Sequence, residues 1–543
     1  MNGFPAWTEY QSSEIEHRGL DPLGLTSVGS NIVQRRLLPG ITNTTRHIRY
    51  YSFFCWVFWS FWQQNKGRSK PSEQRKWQVR LEHVWRAATL LQFPSTTGLV
   101  GVIKALRVDK LKQQTEIRLD DDTVPTAFTP ANYSASFRAL GCGHWSSKNG
   151  ANLTPFAEKV ALAFDSEVQK AVGKGQALKS ILSNQKSVTV KNIHAVASSI
   201  CMRPVTNNQP EQRLLIELLL RIDPSKEDTK AADQHRARSR SLALLMEVIE
   251  QSEGKLNSGW DLHRVFATEI LPNQRRFMPS PQFQNDFELW KRYQERQYIK
   301  IAVYSLWHEA VLLLGYRATK CATAQEILGH LLSSAADSIF LKEHIGPGGL
   351  QKDVRSVLEK VRESLRHRPR DFGKTAVRAT EMLLEKTTPT ADRVGTALYL
   401  LFLCSSFWLE NEGQLPHADL HRDGGRRALS LAVVCSDLQQ FSDIPTADYL
   451  SWIIENYVLK QAIRVAIDKL PNYRFFIMRD EEGYRLVKTQ NPESYLAYDI
   501  SRIDSGYRLM EDLRLTDTSQ GLRLTPLGRK TLERLRNTHS SSL

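Results

Sequence analysis

The sequence predicts a mainly α protein: a large multi-helical body followed by a C-terminal segment in which short strands alternate with helices. Three observations carry this. Between Tyr50 and Trp62 nine of thirteen residues are aromatic, a run with no polar face. From Thr154 onward, apolar residues recur at helical spacing with short polar connections. In the last hundred residues the pattern changes to β-prone runs around polar turns, flanked by amphipathic stretches.

The aromatic run organises the N-terminal part. Pro39-Gly40 breaks the chain before it, and Thr42, Asn43 or Thr44 is placed to cap the following helix. A helix that is apolar on every side must be enclosed on every side. Thirteen residues fall short of the roughly 20 that cross a bilayer, and Arg46 and Arg49 stand just before the run. A central helix of a folded domain is therefore expected, with no membrane contact. Residues 1–36 read as an irregular arm punctuated by Gly19, Pro22, Gly24 and Gly29. Trp7, Leu23, Leu25 and Val28 are placed to pin that arm onto the aromatic helix.

The remaining elements follow in order. Thr115–Leu119 reads as a short strand, and Asp120-Asp121-Asp122 as an exposed turn. Gly141-Cys142-Gly143-His144-Trp145 holds one Cys and one His, half of what zinc requires. Helices are expected at 154–172, 211–222, 232–251 and 261–271, then along one long stretch, 283–316. Further helices are expected at 323–341, 350–366, 375–386, 391–409 and 427–441. Asn207–Pro210 and the polar run 224–240, with His235–Arg240 as a basic loop, are the candidate linkers. The organisation expected is an arm (1–36), an aromatic-centred helical domain (37–206), a second helical domain (207–441) and a C-terminal domain (442–543).

Charge and cysteine usage bound the function. Lys and Arg number 73 against 58 Asp and Glu, a formal charge of +15, which makes nucleic acid the first partner to consider. The six cysteines are scattered and form no CxxC, which fits a reducing, cytosolic compartment and argues against a cysteine zinc site. No cofactor or metal is expected. Gly373-Lys374-Thr375 ends like a phosphate-binding loop, but Arg368 stands where that loop needs glycine. Asp371-Phe372-Gly373 and His421-Arg422-Asp423 are kinase-like tripeptides in the wrong order, with Ala428 where the catalytic asparagine belongs. Gly346-Pro347-Gly348-Gly349 reads as a plain turn. The chain is expected not to be an enzyme; a nuclease with a degenerate carboxylate site is the alternative.

Two tracts are candidate DNA contacts. From Lys360 to Arg378 stand Arg362, Arg366, Arg368, Arg370, Lys374 and Arg378, with Pro369 interrupting any helix and few carboxylates nearby. From Lys66 to Arg86 the basic residues include Lys66, Arg68, Lys70, Arg75 and Lys76, with Trp77 and Trp85 interleaved. There the plain reading is a helix whose tryptophans point inward. Non-specific contact with double-stranded DNA is the expectation.

The C-terminal stretch orders as a helix through about Leu470, strands at 474–478 and 484–487, a helix at 494–513, strands near 515–516 and 522–524, and a last helix, 526–536. With its LRLTPLGRKTLERL fragment it resembles the end of a winged-helix domain. The stretch from Glu493 to Arg514 carries five acids against three arginines, which suits docking on protein better than reading a DNA groove. Arg502, Arg508, Glu511 and Arg514 are the candidate partner contacts. A helical body closed by a docking winged helix is also the general plan of kleisin-type subunits, and the chain resembles the accessory subunit of a bacterial SMC-based defence system of the Lamassu kind. That resemblance implies a non-catalytic subunit of an anti-phage or anti-plasmid complex, with an SMC-type ATPase and an effector nuclease as partners. A stand-alone winged-helix transcriptional regulator is a further alternative.

Overall fold

The computed structural model describes residues 21–540 except 43, 45, 66–69, 95–113, 121–125, 130–132, 147–149, 172–174, 184, 203–204, 206–208, 222–228, 257–258, 367–371, 412–413, 415, 418, 420–428, 469–475, 488–500 and 520. The fold is mainly helical. In chain order come α1 (Leu25–Ile32), α2 (Arg49–Asn65), α3 (Pro71–Gln92), β1 (Glu116–Arg118), α4 (Tyr133–Ala139), β2 (Gly143–Ser146) and β3 (Gly150–Leu153). Then follow α5 (Pro155–Ala171), α6 (Gly175–Leu182), β4 (Ser187–Thr189), α7 (Val190–Ile200), α8 (Gln209–Leu220), α9 (Thr229–Gln251), α10 (Gly259–Thr268) and α11 (Gln284–Tyr316). The second half holds β5 (Cys321–Ala322), α12 (Ala324–Asp337), α13 (Ile339–Ile345), α14 (Val354–Arg366), α15 (Phe372–Leu384), α16 (Thr390–Asn411), α17 (Leu431–Gln440), α18 (Thr446–Ile453) and α19 (Lys460–Asp468). It closes with β6 (Ile477–Asp480), β7 (Gly483–Leu486), α20 (Ser501–Asp512), β8 (Thr516–Asp517), β9 (Arg523–Leu524) and α21 (Pro526–Ser540).

Two apolar cores share one helix. The first gathers α2 to α10, the N-terminal part of α11 through Tyr293, and α20 to α21. The second gathers the rest of α11 from Tyr298, α12 to α19 and the β6–β7 hairpin, with Leu23 and Leu25 from the N-terminal segment. The cores therefore divide inside α11 and not at residues 207 or 442. The segment 442–543 supplies both of them. At 33 residues, α11 is about 50 Å long.

The aromatic helix is enclosed as its composition requires. Seven of its nine aromatic rings are buried, while Trp59 and Trp62 are half-buried against the same core. Phe53 stacks on Trp85 at 4.3 Å and Tyr50 lies 4.4 Å from Tyr133. The indole N–H groups of Trp56 and Trp62 donate to Asp165 (2.9 Å) and the Ala151 carbonyl (3.1 Å). No helix among the described residues is long and apolar enough to cross a membrane. The helix starts at Arg49, later than a cap at Thr42 or Thr44 would place it. Its start is served from the far end of the chain: Asp512 of α20 accepts from the Ile48 N–H (3.1 Å) and lies 3.1 Å from His47 Nδ1. A carboxylate there satisfies an amide that the helix leaves open and complements the helix dipole.

Several expectations need correction. The described part of the N-terminal arm is helical, and Leu23 and Leu25 pack on the second core rather than on the aromatic helix. Trp7 lies outside the described residues. The run His235–Arg240 is no loop; it lies inside α9, because its residues are spent on packing. Arg238 is fully buried and donates to the carbonyls of Leu219 (2.8 Å) and Pro39 (2.9 Å). The expected helix 323–341 is two helices, since Ser338 caps the second with its hydroxyl on the Leu341 N–H (3.0 Å). The β6–β7 hairpin appears as expected, and β5 joins it from outside the C-terminal segment in the order β5-β7-β6.

Because Trp56 is 1% exposed and hydrogen-bonded, Trp56→Ala is expected to destabilise the protein by ~3–5 kcal/mol. Equilibrium denaturant unfolding measures this. A loss below about 1 kcal/mol would mean that the ring is not part of the core.

Candidate functional site

A cleft among the described residues lies where α10, α11 and α15 meet, in the zone where α11 passes from one core to the other. It has a volume of about 430 Å³, and a second cavity of about 340 Å³ adjoins it. Thr268, Ile270, Gln274 and Lys374 line both.

The floor comes from one face of α11. Lys291, Gln294, Glu295 and Tyr298 follow the i, i+3, i+4, i+7 spacing that places side chains together. Arg292 beside them is 1% exposed; its Nη1 is 2.9 Å from Glu295 Oε1, and its guanidinium lies 5.9 Å from the Phe407 ring centre. Phe407 in turn stacks on Phe372 at 4.2 Å, which forms an aromatic wall. Gln294, also 1% exposed, bonds His263 Nδ1 through Nε2 at 2.7 Å. Burial lowers the His263 pKa to about 4, against a weaker upward pull from Gln294, so its ring is neutral at pH 7. The side-chain oxygen of Gln294, Oε1, has no hydrogen-bond partner among the described residues.

The rim is a turn under backbone strain. Glu269 and Gln274, neither of them glycine, adopt φ of 59° and 66°, a region that costs such residues about 1 kcal/mol or more each. The turn is held by Phe277 N–H on the Glu269 carbonyl (2.8 Å) and Leu271 N–H on the Arg275 carbonyl (2.9 Å). Glu269 accepts from Lys291 (2.8 Å) and Arg276 (2.7 Å). Burial raises its pKa, but these two cations outweigh burial and leave it below the ordinary carboxylate value. Opposite, α15 approaches α10 closely because Gly373 has no side chain: a Cβ there would stand 2.0 Å from the Ala267 carbonyl oxygen. The glycine of the Gly373-Lys374-Thr375 tripeptide thus serves helix packing.

The sequence-predicted DNA contacts divide sharply. Lys374 and Arg378 are exposed, one turn apart on α15, and Lys374 reaches the cleft. Arg362 is half-buried and paired with Glu410 at 3.9 Å, so it faces α16. Arg368 and Arg370 lie outside the described residues, as do Lys66 and Arg68; Arg366 is placed only as the last residue of α14. In the other tract Lys70 and Lys76 are exposed. Arg75 is bound inside the fold by Thr126 and Gln78 (both 2.8 Å), while Trp77 and Trp85 are buried. The described part of that tract is a packed helix, in which Arg75 is half-buried and already bonded. The Gly346–Gly349 stretch is a turn, and α14 begins later, where Asp353 takes the Ser356 N–H at 2.8 Å.

The docking candidates also divide. Arg508 and Glu511 are half-buried and Arg514 is exposed. Arg502 is buried at 7% exposure, so it is not available for direct partner contact. Among the described residues Cys321, Asp480 and Glu482 lie close enough to share an ion. Arg485 already bonds both carboxylates, at 2.9 and 2.6 Å, and supplies the positive charge there. Sequence reading missed Arg276, Lys291, Arg292 and Gln294. The available signal was the polar decapeptide KRYQERQYIK (291–300) inside a long, otherwise apolar helix. No family model, curated protein or solved structure matches the chain.

Two outcomes follow from this geometry. Gly373→Ala forces α15 off α10 and is expected to cost about 1–3 kcal/mol, read by thermal unfolding; an unchanged Tm would contradict the close approach. The pH dependence has a definite sign. A histidine with a folded pKa of about 4 against an ordinary 6.5 binds its proton less readily when folded. Stability is therefore expected to fall as pH drops from about 6.5 toward 4, by up to ~3 kcal/mol from His263. Unfolding titrations of wild type and His263→Gln across that window test this, and the variant should show a shallower fall.

Proposed function

We propose that this chain is a non-catalytic, DNA-associated accessory subunit of a multiprotein bacterial DNA-acting complex, cytoplasmic and of the kind used in anti-phage or anti-plasmid defence. The observation that carries the reading is the exposed pair Lys374 and Arg378 on α15, beside the cleft to which Arg264 and Arg276 also contribute. Arg264 pairs with Glu381 at 3.6 Å and Arg276 with Glu269, and both arginines are more than half exposed. Exposed pairs of this type contribute roughly 0–1 kcal/mol, so a phosphate can compete for these cations. Among the described residues nine Lys or Arg and eight Asp or Glu are buried, so the buried charges nearly cancel.

A protein partner docks on the C-terminal segment, whose helix, two-stranded turn and closing helix (α20, β8–β9, α21) run in winged-helix order. The contacts are Arg508, Glu511 and Arg514, without Arg502. An SMC-type ATPase, with an effector nuclease in the same complex, is the partner that the kleisin-like plan suggests.

Lys374→Gln with Arg378→Gln is expected to weaken duplex binding and to flatten its salt dependence by ~0.9 in log–log slope for each phosphate that the protein no longer neutralises. The same pair should leave co-purification of the native partner intact. Arg508→Glu with Arg514→Glu should do the reverse. DNA loss in the second variant with the partner retained would reverse the assignment. Cleavage of DNA with Mg²⁺ or Mn²⁺, abolished by one Asp or Glu substitution, would replace it with a nuclease.

A further inference from the structure

We infer that the cleft between α10, α11 and α15 binds a nucleotide-sized ligand: a planar base with an N–H or amino edge, carrying a phosphate. The cleft falls within the size range of small-ligand pockets, roughly 300–1,000 Å³. Its volume of about 430 Å³ is enough for one such group. Three features converge on one ligand chemistry.

The floor demands a donor. Gln294 is 1% exposed and its Oε1 has no partner among the described residues. Its Nε2 lies 2.7 Å from His263 Nδ1. A buried carbonyl left without a donor is unfavourable, and the N–H or amino edge of a base supplies that donor. The wall is aromatic: Phe372 and Phe407 are stacked, with Tyr298 edge-on to Phe372 at 6.4 Å. Such a surface takes the apolar face of a planar ring. The rim carries Lys291, Arg276 and Lys374, with Glu269 bonded to Lys291 and Arg276. That rim meets a phosphate.

The inference goes beyond the DNA-surface reading and stands without it. The same chemistry has two sources, a free mononucleotide or the terminal nucleotide of a strand. Full-length protein is titrated calorimetrically with the four deoxynucleoside 5′-monophosphates, the matching nucleosides, inorganic phosphate, and short single strands with and without a 5′ phosphate. At least one mononucleotide or 5′-phosphorylated strand is expected to bind one-to-one and to weaken at least tenfold in Gln294→Met and in Lys291→Met. The matching nucleoside should bind more weakly. Binding of monophosphates identifies a free-nucleotide site; binding confined to phosphorylated strands identifies a strand end. If Gln294→Met does not fold, Lys291→Met decides together with ligand protection of Lys374 from amine acylation. The inference is overturned by no saturable binding of any probe, by binding that both substitutions leave unchanged, or by inorganic phosphate binding as tightly as the nucleotides. Any of these results alongside duplex binding that still depends on Lys374 and Arg378 leaves the DNA reading in place.

Discussion

One helix is buried along most of its length by two different cores, and the rest of the architecture answers to that. The first half of α11 gives Trp290 and Tyr293 to one core, and its second half gives Tyr298 through Leu314 to the other. Between them a helix packed on both ends has no spare apolar neighbours, and the sequence there is KRYQERQYIK. Charged and amide groups in such a place need partners. Arg292 finds Glu295, Gln294 finds His263, and Lys291 finds Glu269. Where those partners stop, apolar packing stops too, and the cleft opens. The polar waist and the cleft are two consequences of one packing problem.

The first core is closed by the end of the chain, not by its middle. Asp512 serves the start of the aromatic helix, and Gln212 donates to the Leu513 carbonyl at 2.9 Å. Arg536 of the last helix pairs with Glu247 and Glu250, both at 2.8 Å. Glu247 is fully buried, and removing one member of such a pair leaves an uncompensated charge. The inner face of α20 is likewise spent on Ile503, Leu509 and Met510, with Leu513 following just beyond it. Arg508 and Glu511 stay half-buried on its outer side, and Arg514 just beyond it is exposed.

Helix positions were legible because burial on a helix imprints a period on the sequence; the bounds of α5, α11 and α16 lie within a few residues of those expected. The aromatic helix was legible because nothing else can be done with nine rings in thirteen residues. What could not be read was the partner of each polar residue. HRARSR at 235–240 looks like a solvated basic loop, yet Arg238 is used up by carbonyls at 39 and 219. No local pattern announces a contact across 199 residues. The cleft has the same origin: Phe266, Gln294, Gly373 and Phe407 come together only after folding. Arg502 failed as a surface residue because charge was taken for exposure.

Density of cations in sequence and availability of cations in space are different quantities, and the two basic tracts separate them. α3 is enclosed over most of its length, with Gln74, Trp77, Gln78, Arg80, Glu82 and Arg86 all buried. A helix in that position must satisfy its charges internally, and Arg75 is drawn in with them. α15 has a one-sided duty. Phe372, Ala376, Ala379, Thr380 and Leu383 face inward at the spacing of a single stripe. Lys374 and Arg378 fall on the opposite side, where no packing demand reaches them. The same stripe includes Gly373, whose missing side chain lets α15 settle against α10 and sets the edge of the cleft. Position on the helix, not the number of basic residues, decides which cations stand at this edge.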